Sequence, residues 1–337
     1  MSLILVSETV RRLYGERLDA VLAAAPAGRR VAVFDPARSW SDAEAGGIEA
    51  AFLSSDVLGD STKTRLAPDM AGFCDLLERA AGLRWLQVPS AGVDRPQFIR
   101  WAGRGVRITT AAGAASETVA LTALTGILAL SRRLPLWMQA KRKHEWISLR
   151  SGPDEPRELR GQRVLIVGTG RIGLELARMC RGLGLVTHGL RRSAPGPLPG
   201  FDRVGTLADL PEAAAEADWI VAACPLSPET AGLFNAAVFE RCRPWANFIN
   251  IARGAVAVEE DLVQALAQGT IEGAYLDVFA AEPLPPESPL WDMPNVLISP
   301  HSAGDTRGRH PRIAGIFLDN LERYLQGREL VNQADMG

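Results

Sequence analysis

The chain has 337 residues, of which 47% are hydrophobic and 23% are charged, a composition typical of a globular protein with about two domains. Its formal net charge is −2 at pH 7, whereas binding to a nucleic acid or to a membrane surface requires a clustered positive field. We therefore expect neither as a partner, and small molecules are the favoured ligands.

The cysteines form no CxxC pair and predict neither a disulfide framework nor a metal site. They are Cys74, Cys180, Cys224 and Cys242. The longest apolar stretch, 119–130, is shorter than a membrane span, and the apolar run 3–6 is too short for a signal peptide. We therefore expect a cytoplasmic protein from a reducing compartment.

The first part of the chain alternates short apolar runs with amphipathic stretches. Strand-like runs lie at 3–6, 31–34, 51–53, 83–88 and 106–109, with helical patterns at 8–25 and 71–81. Strands separated by helix-length segments pair in parallel, because an antiparallel pair needs only a tight turn. This part of the sequence therefore predicts an open, doubly wound α/β domain.

A long helical pattern then runs from 116 to 143, with an apolar first half and a basic end that suits the helix dipole. The apolar half packs either against a second subunit or against its own sheet, and the sequence leaves both open. Gly152, Pro153 and Pro156 predict a loop after this helix.

The remaining sequence predicts a second parallel sheet. Its strand patterns lie at 163–167, 185–190, 219–222, 247–251, 271–276 and 296–298, with helices that begin at Arg171 and Val258. A last helical pattern, 311–325, follows this sheet, and the sequence allows it to pack on either domain.

A GxGxxG motif joins the first strand of this second series to its helix. Gly168 suits a tight turn, Gly170 lets a pyrophosphate approach the backbone, and Gly173 lets helix and strand pack closely. Phosphates would lie at the helix N-terminus, beside Arg171 and Ile172. The motif in this context predicts a dinucleotide site.

Arg191 stands where a Rossmann unit commonly carries the acidic residue that binds the ribose of NAD, and Arg192 and Ser193 follow it. Two guanidinium groups suit the 2′-phosphate of NADP better than a plain hydroxyl. The sequence therefore favours NADP(H) over NAD(H), although an arginine pair at a strand end is also typical of a solvated edge.

Three blocks with reactive side chains follow three consecutive predicted strands, at 249–254, 276–283 and 299–304. They contribute Arg253, Glu282 and His301. Arginine can bind a carboxylate and polarise a carbonyl, histidine can exchange the proton that accompanies a hydride, and glutamate can orient the imidazolium. We predict that these residues form a catalytic group.

Together with the glycine motif, these blocks resemble the D-isomer-specific 2-hydroxyacid dehydrogenases, and most closely the NADPH-dependent glyoxylate and hydroxypyruvate reductases. The resemblance extends to LQVPSAGVD at 86–94, PLSPET at 225–230 and PNVL at 294–297. It covers about residues 80–305 in order. The first 80 residues carry no comparable motif.

The resemblance implies a flavodoxin-like substrate domain at 1–109 and 304–337, into which a Rossmann cofactor domain at 110–303 is inserted, with the active site in the cleft. It also implies that the N–H groups of Ala91 and Gly92 hold the substrate carboxylate together with Arg253, and that the protein is a homodimer through the helix near 116–143. A Gly-containing loop is a credible anion nest.

Motif and resemblance together give the candidate cofactor-binding residues. They are Thr118, Gly168, Gly170, Arg171, Ile172, Gly173, Arg191, Arg192, Ser193, Cys224, Pro225, Ala252, Asp277, His301 and Gly304. Asp277 would face the nicotinamide carboxamide. For Cys224, at the end of an apolar strand, a buried structural thiol is the competing interpretation.

These observations favour an oxidoreductase that reduces a small 2-keto acid, of the glyoxylate or hydroxypyruvate type, to the D-2-hydroxy acid with NADPH. Two alternatives stay open. One is an NAD-linked dehydrogenase for a bulkier 2-hydroxy acid. The other is a dinucleotide-sensing, corepressor-like interaction module.

Overall fold

The computed structural model describes residues 2–25, 27–62, 65–150, 152, 154–193 and 196–334. Pro153, one of the predicted loop residues, and the extreme ends of the expected substrate domain lie outside these residues. The chain divides into two compact units, one formed by Met1–Ala114 and Thr306–Gly337 and the other by Ala115–Asp305. The first unit therefore uses both ends of the chain.

The elements of the described residues are as follows. The strands are β1 Ser2–Ser7, β2 Arg29–Phe34, β3 Ile48–Phe52, β4 Trp85–Gln87, β5 Arg107–Thr109, β6 Arg163–Val167, β7 Val186–Arg191, β8 Arg203–Thr206, β9 Trp219–Ala222, β10 Asn247–Asn250, β11 Gly273–Leu276 and β12 Val296–Ile298. The helices are α1 Glu8–Ala23, α2 Asp42–Gly46, α3 Ser55–Leu58, α4 Pro68–Glu78, α5 Pro96–Gly103, α6 Ser116–Ser131, α7 Leu134–Lys143, α8 Arg171–Gly182, α9 Leu210–Glu216, α10 Ala236–Phe239, α11 Glu259–Ala267 and α12 Arg309–Leu325.

The first unit contains a parallel sheet with the strand order β2-β1-β3-β4-β5. Apolar cores cover both faces of this sheet, as parallel sheets require. The last helix, α12, belongs to this unit, where Phe317 stacks on Phe52 with ring centroids 4.4 Å apart. The structure thus decides where the helix lies that the sequence left without a partner.

The second unit contains a parallel sheet with the order β12-β11-β10-β9-β6-β7-β8, again with a core on each face. The two sheets confirm the predicted fold class of two doubly wound α/β domains. Strand β8, which pairs with β7 at the edge of the sheet, was not predicted. This strand is only four residues long and includes Gly205, so it lacks the apolar run that marks a buried strand.

The prediction of one helix over 116–143 is wrong, because two helices, α6 and α7, occupy this stretch and are bent by 63°. Arg133 between them has a left-handed backbone with φ 56°. Pro135 follows, and its ring cannot continue a helix past the carbonyl of Ser131. Among the described residues, no single helix is long and apolar enough to span a membrane, and only the bent pair together meets that criterion by length and composition.

The apolar half of this stretch packs in part against its own sheet, which is one of the two arrangements that the sequence left open. Helix α6 packs on the sheet of its own unit, where Gly126 lies so close to β11 that an added Cβ would come within 2.7 Å of the Tyr275 ring. Ala120, Ala123 and Ile127 of α6 are buried in the same core. Other side chains of α6 and α7 remain exposed.

Candidate active site

The predicted site residues of the second unit follow the carboxyl ends of its strands. Because all strands of this sheet are parallel, these ends share one edge. From one side to the other the edge carries His301 after β12, Asp277 and Glu282 after β11, Arg253 after β10, Cys224 after β9, Gly168 after β6 and Arg191 at the end of β7. The strand order reverses between β9 and β6, which is where open α/β sheets form their ligand crevice.

The glycine loop between β6 and α8 has the geometry that a dinucleotide site requires. Gly168 has φ 112°, and a Cβ there would lie 2.5 Å from the carbonyl carbon of Ala223. A Cβ on Gly173 would lie 2.0 Å from the carbonyl oxygen of Gly168, so helix and loop can pack this closely only without it. Gly170, at the N-terminal cap of α8, is exposed and has open space around its Cβ position.

This cradle fits a pyrophosphate. The open space at Gly170 lets a phosphate approach the backbone, and the first turn of α8 presents the positive end of the helix dipole. Arg171 is exposed and Ile172 is half-buried in this turn. These residues therefore have the features that a Rossmann motif needs to bind a dinucleotide.

The arginine pair lies at the carboxyl end of the neighbouring strand. Arg191 ends β7 and is half-buried, while Arg192 and Ser193 are exposed. Hydrogen bonds from Ser227 and from the backbone lower the pKa of Glu229, and the charge of Arg192 contributes to the same effect. Within the described residues, no hydrogen bond or ion pair engages the Arg191 guanidinium, so it is available to an anionic group.

Arg253 follows β10 in a loop fixed by the side chain of Asn250. The Asn250 Oδ1 accepts from the N–H of Ala252 at 3.1 Å, and its Nδ2 donates to the carbonyl of Arg253 at 3.2 Å. The half-buried guanidinium donates from Nη1 to the carbonyl of Ala252 at 2.7 Å. Gly254 packs against the next loop so closely that a Cβ would lie 1.9 Å from the backbone of Phe279.

The same loop after β11 carries Glu282, which contacts His301. The Oε1 of Glu282 accepts from the N–H of Phe279 at 3.2 Å, and its Oε2 lies 2.8 Å from Nδ1 of His301. With Nδ1 engaged by the carboxylate, Nε2 is the ring nitrogen left to exchange a proton with a ligand. The structure thus brings together a carboxylate and an imidazole in the arrangement of an acid–base pair.

Asp277 is buried beneath the loop that carries His301. Its Oδ1 accepts from the Ser299 hydroxyl at 2.5 Å, from the N–H of Ser302 at 2.9 Å and from the N–H of Ala303 at 3.1 Å. The Ser299 hydroxyl also lies 2.6 Å from the Tyr275 hydroxyl. Ser299 and Tyr275 were not predicted as site residues, because a hydroxyl group beside a proline or inside a strand belongs to no recognisable motif.

The remaining candidate cofactor residues of this unit surround the same edge. Thr118 is half-buried in the first turn of α6, and Thr122 one turn later donates to the carbonyl of Ala303 at 3.0 Å. Gly304 is close to α6 as well, since a Cβ there would lie 3.2 Å from that of Ala115. Helix α6 is therefore packed against the His301 loop.

Cys224, Pro225 and Ala252 differ in their exposure. Cys224 and Ala252 are buried, and Pro225 is exposed. Burial raises the pKa of Cys224 to about 11, so its thiol is neutral at neutral pH and is a poor nucleophile. All four cysteines are buried and free.

In the first unit, the chain after β4 forms the loop that contains Ala91 and Gly92. The Ser90 hydroxyl donates to the carbonyl of Gly92 at 2.6 Å and fixes the turn. Ala91 is exposed and Gly92 is half-buried. In the described part of the chain, neither of these two N–H groups donates to a protein acceptor, which is the arrangement of a backbone anion site.

The family model for the "D-isomer specific 2-hydroxyacid dehydrogenase, NAD binding domain" matches residues 124–303. A glyoxylate reductase/hydroxypyruvate reductase of Mus musculus is 34% identical over 259 residues, which are 77% of this chain and 79% of that protein. A glyoxylate/hydroxypyruvate reductase B of Escherichia fergusonii is 36% identical over 255 residues, 75% and 78% of the two chains.

Solved structures of similar proteins cover the whole chain. A D-isomer specific 2-hydroxyacid dehydrogenase family protein from Aeromonas salmonicida has a TM-score of 0.78 at 31% identity, with 100% of this chain and 99% of that chain covered. An NADPH-dependent glyoxylate/hydroxypyruvate reductase from Sinorhizobium meliloti, solved with NADP and sulfate, has a TM-score of 0.75 at 28% identity, with 100% and 99% covered.

The fold and the dinucleotide cradle define a nicotinamide-dependent dehydrogenase. The chain belongs to the D-isomer-specific 2-hydroxyacid dehydrogenase family, because the family model covers more than half of it and relatives above 30% identity are spanned over more than three quarters of their length. The resemblance found in the sequence is thereby confirmed.

Proposed function

We propose that this protein reduces a small 2-keto acid, of the glyoxylate or hydroxypyruvate type, to the D-2-hydroxy acid with NADPH. The observation that carries the proposal is the pair formed by Nδ1 of His301 and Oε2 of Glu282, 2.8 Å apart, beside the loop of Arg253 on adjacent strands. The names of the mouse and Escherichia fergusonii relatives support this substrate class.

In this reaction His301 is the general acid. The nicotinamide, when bound, supplies the hydride that reaches the keto carbon. His301 in its protonated form donates a proton from Nε2 to the oxygen on that carbon, and Glu282 stabilises the imidazolium and orients its ring. The balance is one hydride and one proton added across the carbonyl bond, which gives the hydroxyl group of the product.

Arg253 holds the substrate carboxylate and polarises the keto oxygen, because its planar guanidinium can donate to two oxygens at once. The N–H groups of Ala91 and Gly92 form a second anchor for the carboxylate, a role supported by their lack of acceptors among the described residues. Both contacts strengthen the binding of an anionic substrate. The contact of Asp277 with the nicotinamide carboxamide is part of the same proposal.

The preference for NADPH is supported by Arg191, Arg192 and Ser193 at the end of β7. A 2′-phosphate dianion gains charge-assisted hydrogen bonds from the Arg191 guanidinium, while a plain 2′-hydroxyl gains much less. NADP complexes of structural relatives, among them the Sinorhizobium meliloti reductase, agree with this choice. The other candidate cofactor residues, from Thr118 to Gly304, belong to the same proposal.

The test is a spectrophotometric assay of NADPH oxidation with glyoxylate, hydroxypyruvate and phenylpyruvate. We expect turnover with the two small keto acids, and loss of at least about 100-fold in His301→Gln, because the proton donor is gone. Lys141→Ala, an exposed change on α7, is the control and keeps wild-type turnover. A preference for phenylpyruvate with NADH would support the bulkier substrate class, and NADPH binding without turnover on any keto acid would support the interaction module.

We also propose a homodimer through α6 and α7. Large apolar side chains of these helices are more than a third exposed, which is typical of an interaction surface. They are Leu121, Leu128, Leu134, Trp137 and Met138. Sedimentation equilibrium should give a dimer that Leu128→Glu with Trp137→Glu dissociates, whereas Leu13→Glu on α1 leaves the mass unchanged; a wild-type monomer would contradict the proposal.

A further inference from the structure

A hydrogen-bonded chain of two hydroxyl groups and a carboxylate, in which Tyr275 and Asp277 are buried and Ser299 is half-buried, runs beneath the loop that carries His301. The Tyr275 hydroxyl lies 2.6 Å from the Ser299 hydroxyl, which lies 2.5 Å from Oδ1 of Asp277. The Asp277 carboxyl is 2% exposed as a residue, so it is shielded from solvent. A buried carboxylate needs such donors, and a missing one is costly.

The direction of these hydrogen bonds follows from the number of protons. A carboxylate only accepts, so the single proton of the Ser299 hydroxyl points to Asp277. The Tyr275 hydroxyl must therefore donate to Ser299, and burial, which raises the pKa of Tyr275, keeps it protonated. Tyr275 is thus the first donor of the chain and Asp277 its final acceptor.

This hydrogen-bond chain ends at Asp277, which contacts the backbone that determines where the imidazole lies. The carboxylate of Asp277 accepts from the N–H groups of Ser302 and Ala303, and its carbonyl accepts from the N–H of His301 at 2.8 Å. His301 itself has φ 51°, a left-handed conformation that is unfavourable for a residue with a Cβ. Such a conformation persists when its surroundings overdetermine it, and here Asp277 contacts three consecutive residues, His301 included.

The Tyr275 end of the hydrogen-bond chain is also held in place by its packing. The Tyr275 side chain packs against Gly126 of α6, where an added Cβ would lie 2.7 Å from its ring. The same helix holds the far end of the loop through Thr122, which donates to the carbonyl of Ala303 at 3.0 Å. This close contact with α6 restricts the movement of the Tyr275 ring beside Ser299.

We propose that Tyr275 and Ser299 are positioning residues for His301, a role that rests on the proposed function of His301 as the proton donor. Their hydroxyl groups hold the Asp277 carboxylate in the one orientation that supports the left-handed turn, and this turn keeps Nδ1 of His301 within 2.8 Å of Glu282. Neither hydroxyl touches the substrate in this scheme. They determine the orientation of the imidazole ring through Asp277.

The first test removes one hydroxyl at a time. In Ser299→Ala we expect kcat to fall about 10-fold or more, since a small misplacement of a catalytic group is enough for such losses. Kd for NADPH, measured by fluorescence, should change less than kcat, because the phosphates are bound at the glycine loop and only the Asp277 contact is disturbed. Tyr275→Phe keeps the ring against Gly126 and should lower kcat less. Ser299→Thr restores the hydroxyl and should recover most of the activity.

The second test does not depend on turnover. The ¹⁵N shift of Nδ1 of His301, assigned by comparison with His301→Gln, reports the hydrogen bond to Glu282 in the enzyme without substrate. We expect it to change in Ser299→Ala and to return in Ser299→Thr. Circular dichroism and thermal melting of each variant identify one that has simply failed to fold, and Tyr275→Phe then supplies the measurement.

The outcomes separate the two proposals. Wild-type protein without reductase activity would refute the proposed function, while the ¹⁵N shift would still decide whether the hydroxyl groups position the ring. An active wild type in which Ser299→Ala and Tyr275→Phe keep both kcat and the ¹⁵N shift would overturn the positioning role. Equal losses in Ser299→Ala and Ser299→Thr would overturn it as well, because the hydroxyl would then be irrelevant.

Discussion

Nδ1 of His301 lies 2.8 Å from Oε2 of Glu282, and the other oxygen of this carboxylate accepts from the N–H of Phe279 at 3.2 Å. The carboxylate is therefore held on one side by the backbone of its own loop while it holds the imidazole on the other. The His301 and Glu282 side chains are 44% and 30% exposed, so ligands can reach the ring. Solvent also screens the charges of the pair, so the contact contributes little to the stability of the fold. Its main effect is to orient the imidazole ring.

Replacement of Glu282 tests this arrangement. Glu282→Gln keeps the shape and removes the charge that stabilises the imidazolium. In the reduction direction the variant therefore lacks the charge that supports proton donation by His301. Neutral-pH kcat should fall about 10-fold. A kcat of Glu282→Gln at pH 7 equal to that of the wild type would show that the pair is not the acid, and NADPH affinity is the control for an intact site.

The parallel strands of both sheets other than β8 could be predicted because each coincides with an apolar run bounded by helical or turn patterns. In the second unit the predicted runs 163–167, 219–222 and 296–298 coincide with β6, β9 and β12. The edge strand β8 could not be found this way, since it lacks an apolar run. Pro135 could have indicated the break between α6 and α7, but the continuous helical periodicity favoured a single helix.

The candidate site shows a similar limit. Each of Arg253, Glu282 and His301 follows a predicted strand. They could therefore be predicted as one group from local sequence, because parallel strands bring their carboxyl ends to one edge. The contact between Tyr275 and Ser299 joins residues 24 positions apart through side chains that carry no charge. Only the register of β11 against β12 brings them together, and that register is a property of the folded sheet.

Cofactor choice is tested at Arg191. We expect the wild type to favour NADPH over NADH by at least about 10-fold in kcat/KM, which corresponds to about 1.4 kcal/mol of differential binding. Arg191→Asp should remove this preference mainly by weakening NADPH, because its carboxylate repels the 2′-phosphate. Arg178→Asp makes the same charge change on α8 and should leave the ratio unchanged. Equal use of both cofactors by the wild type would refute the role of Arg191.

Asp218 provides a prediction for stability against pH. Burial alone would raise its pKa, but the N–H of Arg163, the indole of Trp245 and the guanidinium of Arg243 outweigh burial, and the net effect lowers it. A lowered pKa contributes stability above the unfolded value, near 4, and this contribution is lost as the pH falls through the folded value.

Asp218→Asn should therefore reduce the free energy of unfolding at pH 7 by about 1–3 kcal/mol, since the two donors that share Oδ1, at 2.8 and 2.9 Å, lose a charged acceptor. The difference from the wild type should shrink as the pH falls below about 4. Urea denaturation at pH 7, pH 5 and pH 3 measures it, with the exposed Asp292→Asn as the control. A difference that stays constant with pH would mean that the ionised form of Asp218 is not what stabilises the unit.

Arg253 has the most demanding part in the proposed reaction, because it binds the carboxylate in the ground state and gains strength as negative charge develops on the keto oxygen. Its removal should therefore raise KM and lower kcat together. Arg253→Lys keeps the charge but loses the planar fork, so we expect a partial rescue relative to Arg253→Gln. The phosphates are assigned to the cradle of Gly168 and Gly170, and NADPH affinity, measured by fluorescence, should survive both changes. Turnover near the wild-type level in Arg253→Gln, or loss of NADPH binding, would show that Arg253 maintains the loop beside Phe279 and does not act on the substrate.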